Sequence, residues 1–80
     1  MNPPTQQDLE ASIVDFGWHM GLSLCLALMG PRHPADSALN RTRRIGFQFA
    51  ASDAKRRGTY ALFQQGAKAA TKAMIHSNNQ

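Results

Sequence analysis

The chain has 80 residues, of which 42% are hydrophobic and 18% are charged, with 9 Lys and Arg against 5 Asp and Glu. This length excludes a second domain and allows only a marginal core in a lone monomer, which favours self-association. The single cysteine excludes an internal disulfide framework and a cysteine-based zinc cluster, and it is typical of a reducing compartment. We therefore expect one small cytoplasmic domain over residues 1–80, without a cofactor.

The first predicted element is a long apolar helix. A proline pair keeps residues 1–4 extended, and Thr5 is suited to cap a helix that begins at Gln6. Two neighbouring apolar stripes then follow the helical period: Leu9, Ile13, Phe16, Met20, Leu24 and Leu28, and beside them Val14, Trp18, Leu22, Cys25 and Met29. Two stripes need cover on more than one side, which indicates a partner chain. The alternative is that both stripes pack within a three-helix monomer.

Smaller features of this helix each have a structural interpretation. Its uncharged apolar part, residues 16–29, is shorter than the roughly 20 residues that span a bilayer, so we expect no membrane partner. Gly17 and Gly21 have the spacing of a close helix–helix contact, and Cys25 is expected to be a small core residue. Asp15 and His19 lie four residues apart, and such a pair without a third ligand or a nucleophile favours a helix contact over a site.

The second predicted helix covers Ala38–Arg57. It follows a loop, GPRHPAD, from which Asp36 or Ser37 can provide the cap. Within it residues 43–50 are ambiguous, because alternating apolar side chains also fit a strand. A lone strand between helices would leave both of its edges unpaired, so helix is favoured.

The third predicted helix runs from about Tyr60 to Met74, after Gly58 and a possible cap at Thr59. Its stripe consists mainly of small residues, which allows another helix to approach closely: Phe63, Ala67, Ala70 and Met74. Residues 77–80 are expected to fray. The predicted fold class is all-α: an oligomeric helical hairpin of two long antiparallel helices with a shorter C-terminal helix.

Charge is divided unequally along the chain, with a net −3 over residues 1–30 and +7 over residues 31–80. Two basic clusters in the second helix are the candidate ligand-binding residues: Arg41, Arg43, Arg44, Lys55, Arg56 and Arg57. The first cluster lies near a helix start, where the helix dipole disfavours cations, so helix energetics do not explain it. The second cluster lies at a helix end, where cations also stabilise the helix. Because the arginine fork matches phosphate, the pattern favours an anionic partner.

Catalytic patterns are missing from the sequence. It contains no nucleophile with a neighbouring base, no paired carboxylates, no metal-ligand cluster and no glycine-rich phosphate loop. We therefore expect a protein that is not an enzyme, with no catalytic residues and no metal site.

Three segments carry a family resemblance: PPTQQDLE, GPRHPADSAL and FQFAASDA, which together extend over roughly residues 3–54. In this order they resemble the helical-hairpin domain of phage anti-defence proteins that sequester the cyclic nucleotide signals of CBASS and Thoeris immunity. The resemblance implies a compact homo-oligomer that binds cyclic oligonucleotides without cleaving them. Members carry an aromatic residue shortly before the proline pair, where this chain has only Met1 and Asn2, so the resemblance directs the ligand to an arginine-lined site.

The sequence thus predicts a non-enzymatic phage anti-defence protein that sequesters cyclic oligonucleotide immune signals. One alternative is a small basic nucleic-acid-binding accessory protein of a phage or plasmid. Another is a module that blocks an acidic host protein. Salt dependence separates the first two, because a polyanion releases counterions on binding.

Overall fold

The computed structural model describes residues 2–29 and 37–78, which form three α-helices and no strand. These are α1 (Gln6–Met29), α2 (Ala38–Arg57) and α3 (Tyr60–Asn78). The prediction of an all-helical chain is confirmed, and the ambiguous residues 43–50 are helical. The predicted loop over residues 30–36 and the last two residues lie outside the described part of the chain.

The helix ends follow local capping chemistry. Thr5 caps α1 as predicted: its Oγ1 accepts from the backbone N–H of Asp8 at 3.0 Å, and Asp8 accepts from the Thr5 N–H at 3.0 Å. At the start of α2, the Ser37 hydroxyl accepts from the backbone N–H of Asn40 at 3.2 Å. Gly58 ends α2 with a left-handed φ of 76°.

Thr59 lies in the N-cap position of α3, as expected: its carbonyl accepts from the Phe63 N–H at 3.1 Å, and its hydroxyl donates to the Ala54 carbonyl at 3.4 Å. The expected end of α3 is corrected. The helix continues beyond Met74 through Asn78, and Ser77 is helical rather than frayed, because no glycine or proline interrupts this stretch. With 19 residues against 20 in α2, α3 is nearly as long as its neighbour.

The most extensive helix contact joins α1 to α3, which run parallel. Gly17 lies against the Phe63 backbone, and a Cβ on Gly21 would lie 2.8 Å from the Ala67 Cα. From α3, a Cβ on Gly66 would lie 2.6 Å from the backbone nitrogen of Trp18. The predicted glycine contact is therefore confirmed, and within this chain the helix that it meets is α3.

The small residues at this contact determine which side chains are buried in the core. The buried apolar side chains in the described residues are Cys25, Ala27, Ala54, Phe63, Ala67 and Ala70. Of the two predicted apolar stripes of α1, only Cys25 is buried, and Trp18 is half-buried. The physical reason is that the glycines bring the two backbones together, so the large side chains lie beside the contact rather than inside it.

α2 runs antiparallel to α1, as the predicted hairpin requires, and a Cβ on Gly46 would have room beside the Met20 side chain at 3.7 Å. The Phe47 ring of α2 meets the buried Phe63 ring at 5.5 Å. Apart from the end near Gly58, α2 and α3 have little contact. Their divergence leaves a groove between them.

α1 has 24 residues, so it is about 36 Å long. By length and composition alone it could cross a membrane, although core helices of globular proteins meet the same criteria. The uncharged stretch over residues 16–29 is only part of this helix, which also includes the less apolar turns before it.

Candidate functional site

An open groove of about 450 Å³ lies between the three helices. Most of its lining comes from one face of α3, with smaller contributions from the other two helices: Gly21, Leu24, Phe47, Tyr60, Gln64, Ala67, Lys68, Thr71, Lys72 and Ile75. This volume lies in the range of about 300–1,000 Å³ typical of small-molecule sites.

Aromatic rings form one end of the groove. Phe47 and Tyr60 each contact the buried Phe63 ring, with centroids 5.5 and 6.4 Å away. Since Phe63 is only 2% exposed, it fixes the position of both rings. The Lys55 ammonium lies 4.8 Å from the Tyr60 centroid, close enough for a cation–π contact.

Cations form the other side of the groove. Lys68 and Lys72 lie one turn apart on α3, a spacing that places their Cβ atoms about 5–6 Å apart. Both side chains are exposed, and neither forms an ion pair with another described residue. The groove therefore combines an apolar floor, two aromatic rings in fixed positions and two solvated ammonium groups. This combination suits a ligand with a planar part and an anionic part.

The first predicted cluster lies at the start of α2. Arg41 is exposed, whereas Arg43 and Arg44 are half-buried. Arg43 donates to the Asn40 side-chain oxygen at 2.9 Å, and Asn40 is only 1% exposed. Arg43 therefore has a structural contact, whereas Arg41 extends into solvent.

In the second predicted cluster, at the end of α2, the two arginines form ion pairs. Arg56 and Arg57 both donate to Asp53, Arg57 at 2.7 Å. The hydrogen bond from Arg56, assisted by Arg57, holds the pKa of the Asp53 carboxyl below its ordinary value of 3.8. These contacts give both arginines a role in stabilising the helix end, and Lys55 alone in this cluster has a contact with a groove residue.

The two predicted clusters are not brought together within one chain. Arg41 and Arg56 are fifteen positions apart on one helix, which separates their backbones by about 22 Å. A single small ligand on one copy can therefore contact only one of the clusters.

Sequence reasoning missed the groove, including Lys68 and Lys72. A signal was present, because Tyr60, Gln64 and Lys68 recur every four residues and continue to Lys72 along one helical face. That pattern identifies a face but not what lies opposite, which depends on how far α2 diverges from α3.

Among the described residues no group of three His, Cys, Asp or Glu side chains could hold a metal ion. Asp15 and His19 form the expected exposed pair at 3.5 Å. Comparison of the chain with models of protein families, with curated sequences and with solved structures finds no match.

Proposed function

We propose that the protein binds cyclic oligonucleotides without cleaving them and acts as a phage anti-defence protein that sequesters these immune signals. The observation that carries the proposal is the groove, in which Lys68 and Lys72 face the same space as the Phe47 and Tyr60 rings. The family resemblance of residues 3–54 supplies the cyclic form of the ligand and the anti-defence role. The groove itself supports the more general part, an anionic nucleotide.

The combination of rings and cations favours a nucleotide over a simple anion. Stacking of a base on an aromatic side chain contributes about 1–3 kcal/mol and tolerates any base. Two ammonium groups one helical turn apart can bind neighbouring phosphate oxygens by charge-assisted hydrogen bonds. A simple anion would use the lysines and leave the rings and the apolar floor without a role.

The chemistry of the lining favours binding over turnover. Its described residues include no carboxylate, imidazole or thiol that could act as a general base or nucleophile. The Thr71 hydroxyl of the lining donates to the Ala67 carbonyl at 3.0 Å, a contact within α3. A ligand held there would be retained intact.

Self-association is part of the proposal, as the sequence predicted. Leu9 and Phe16 are 48% and 51% exposed on the half of α1 that carries its acidic residues. Ile45 and Phe49 are 51% and 72% exposed on α2, a helix that carries six described cations and one carboxylate. These two surfaces are complementary in charge and both are apolar, so α1 of one copy can pack on α2 of another.

Calorimetric titration with cyclic di-AMP, cyclic di-GMP and cyclic tri-AMP tests the proposal. Because a hydrogen bond to a charged group contributes about 1.5–3 kcal/mol, we expect Lys68→Gln and Lys72→Gln each to weaken binding about tenfold to a hundredfold. Arg56→Gln, whose side chain is already paired with Asp53, is the matched control and should bind like the parent. Binding unaffected by either lysine change, but lost in Arg41→Ala, would move the ligand to the start of α2.

The alternative function, binding of nucleic acid, rests on a different observation. All eight described Lys and Arg residues lie on α2 and α3, where Asp53 is the one described carboxylate. A duplex DNA arm in the same titrations distinguishes it. A steep fall of affinity with salt, together with no binding of the cyclic nucleotides, would favour this alternative.

A further inference from the structure

One end of the helix bundle, where α1 and α3 finish and α2 begins, carries five of the nine exposed large apolar side chains of the described residues. We call this the apolar end, and it comprises Leu26, Leu28, Met29, Leu39 and Ile75. Their exposed fractions run from 40% to 63%. The parallel register of α1 and α3, seen where Cys25 meets Thr71 at 3.7 Å, brings their last turns side by side.

Charge is distributed along the bundle in the same direction. The half that includes the apolar end carries five described cations and no described carboxylate: Arg41, Arg43, Arg44, Lys68 and Lys72. The described acids all lie in the other half, namely Asp8, Glu10, Asp15 and Asp53. The molecule is therefore both apolar and positively charged toward one end.

Among the described residues, no other side chain covers these five, which are all at least 40% exposed. A second copy placed end to end would oppose two positively charged halves, which disfavours that contact. The side chains of the apolar end are all aliphatic, so they offer no ring on which a nucleobase could stack.

We propose that the apolar end docks on the surface of an anionic lipid bilayer. Aliphatic side chains enter the boundary between headgroups and acyl chains, while Arg41 and its neighbours bind the headgroup phosphates. This is peripheral attachment through one end of the bundle, so α1 does not cross the membrane. It does not depend on the nucleotide proposal, because the variants that test it leave Lys68 and Lys72 unchanged.

Vesicle co-sedimentation of the full chain tests the docking surface. Two vesicle types are used, phosphatidylcholine alone and a two-to-one mixture of phosphatidylcholine and phosphatidylglycerol. Leu28→Ser and Arg41→Gln alter the apolar end, and Ala11→Ser and Arg56→Gln are the controls in the other half. Because every altered side chain is exposed, circular dichroism should show an unchanged fold for all four.

We expect the parent to sediment with the mixed vesicles and to bind phosphatidylcholine alone at least about tenfold more weakly. Arg41→Gln and Leu28→Ser should each weaken binding to the mixed vesicles about fivefold, and the controls should bind like the parent. Absence of binding to mixed vesicles, equal binding to both types, or equal effects of variants and controls would overturn the proposal. Dissociation of a lipid-free oligomer by Leu28→Ser would also overturn it, because the apolar end would then be a contact between copies.

Discussion

The contact between α1 and α3 predicts opposite responses to one substitution at two glycines. Gly17→Ala places a methyl group against the α3 backbone, 2.9 Å from the Phe63 carbonyl carbon and nearer still to its oxygen. Gly46→Ala, in the middle of α2, places the same methyl group 3.7 Å from a flexible Met20 side chain, an ordinary van der Waals distance. The two variants therefore share a chemical change and differ in the space available.

The expected change in the free energy of unfolding has two contributions. Replacing glycine by alanine inside a helix stabilises it by about 1 kcal/mol, which is the whole expected effect for Gly46→Ala. Carbon atoms in contact lie about 3.5–4.0 Å apart, so at Gly17 the two helices must separate by roughly 1 Å. Overpacking typically costs about 1–3 kcal/mol and occasionally more, and because the neighbour here is backbone, which cannot rotate away, we take a cost of about 3–4 kcal/mol. We expect Gly17→Ala to lose about 2–3 kcal/mol overall.

Thermal denaturation followed by circular dichroism measures both variants. For a domain of this size, a loss of 2–3 kcal/mol lowers the Tm by about 8–24 °C, whereas Gly46→Ala should raise it by about 4–8 °C. Gly66→Ala, which meets the α1 backbone from the opposite side, should behave like Gly17→Ala. Equal stability of Gly17→Ala and Gly46→Ala would refute the close parallel contact of α1 and α3.

Three further predictions concern single positions. Gly58→Ala should destabilise the chain by about 1 kcal/mol in urea denaturation, because φ is 76° there, a backbone conformation that favours glycine. Apart from its chain neighbours, no atom lies within 4 Å of the new methyl group, so the backbone conformation is the whole cause. Asn40→Ala should cost about 1–3 kcal/mol, because it removes a buried acceptor of the Arg43 side chain, and an unchanged midpoint would contradict this role. The lowered pKa of Asp53 means that its contribution to stability is present above pH 4 and is lost as the pH falls through its folded pKa. Thermal denaturation of the parent and Asp53→Asn should therefore differ at pH 6 and converge toward pH 2, and a constant difference would argue against the pairs with Arg56 and Arg57.

The sequence alone predicts the helices well because their signals are local. Thr5 and Ser37 cap where expected, and Gly58 ends α2 in the left-handed conformation that favours glycine. Residues 43–50 were ambiguous because period-two and helical patterns overlap over so few positions. Tertiary structure makes them helical, with Phe47 directed to the Phe63 ring.

The core and the groove could not be predicted because they depend on how the helices approach one another. Periodicity assigns burial to large side chains such as Leu9 and Phe16, but Gly17 and Gly21 select the face of α1 that meets α3. The candidate groove then arises beside that contact. Its lysines stood out less in the sequence than the arginine clusters, whose dense spacing is partly explained by the pairs with Asp53 at the end of α2.

The central claim is that an oligomer of this chain retains an intact cyclic oligonucleotide. Native mass spectrometry of the purified protein, with and without cyclic di-AMP, cyclic di-GMP and cyclic tri-AMP, tests this most directly. We predict a multiple of the 8.8 kDa chain that carries at least one of these ligands at its unaltered mass. A monomer that carries none of them, or a bound ligand heavier by one water and therefore linearised, would contradict the account.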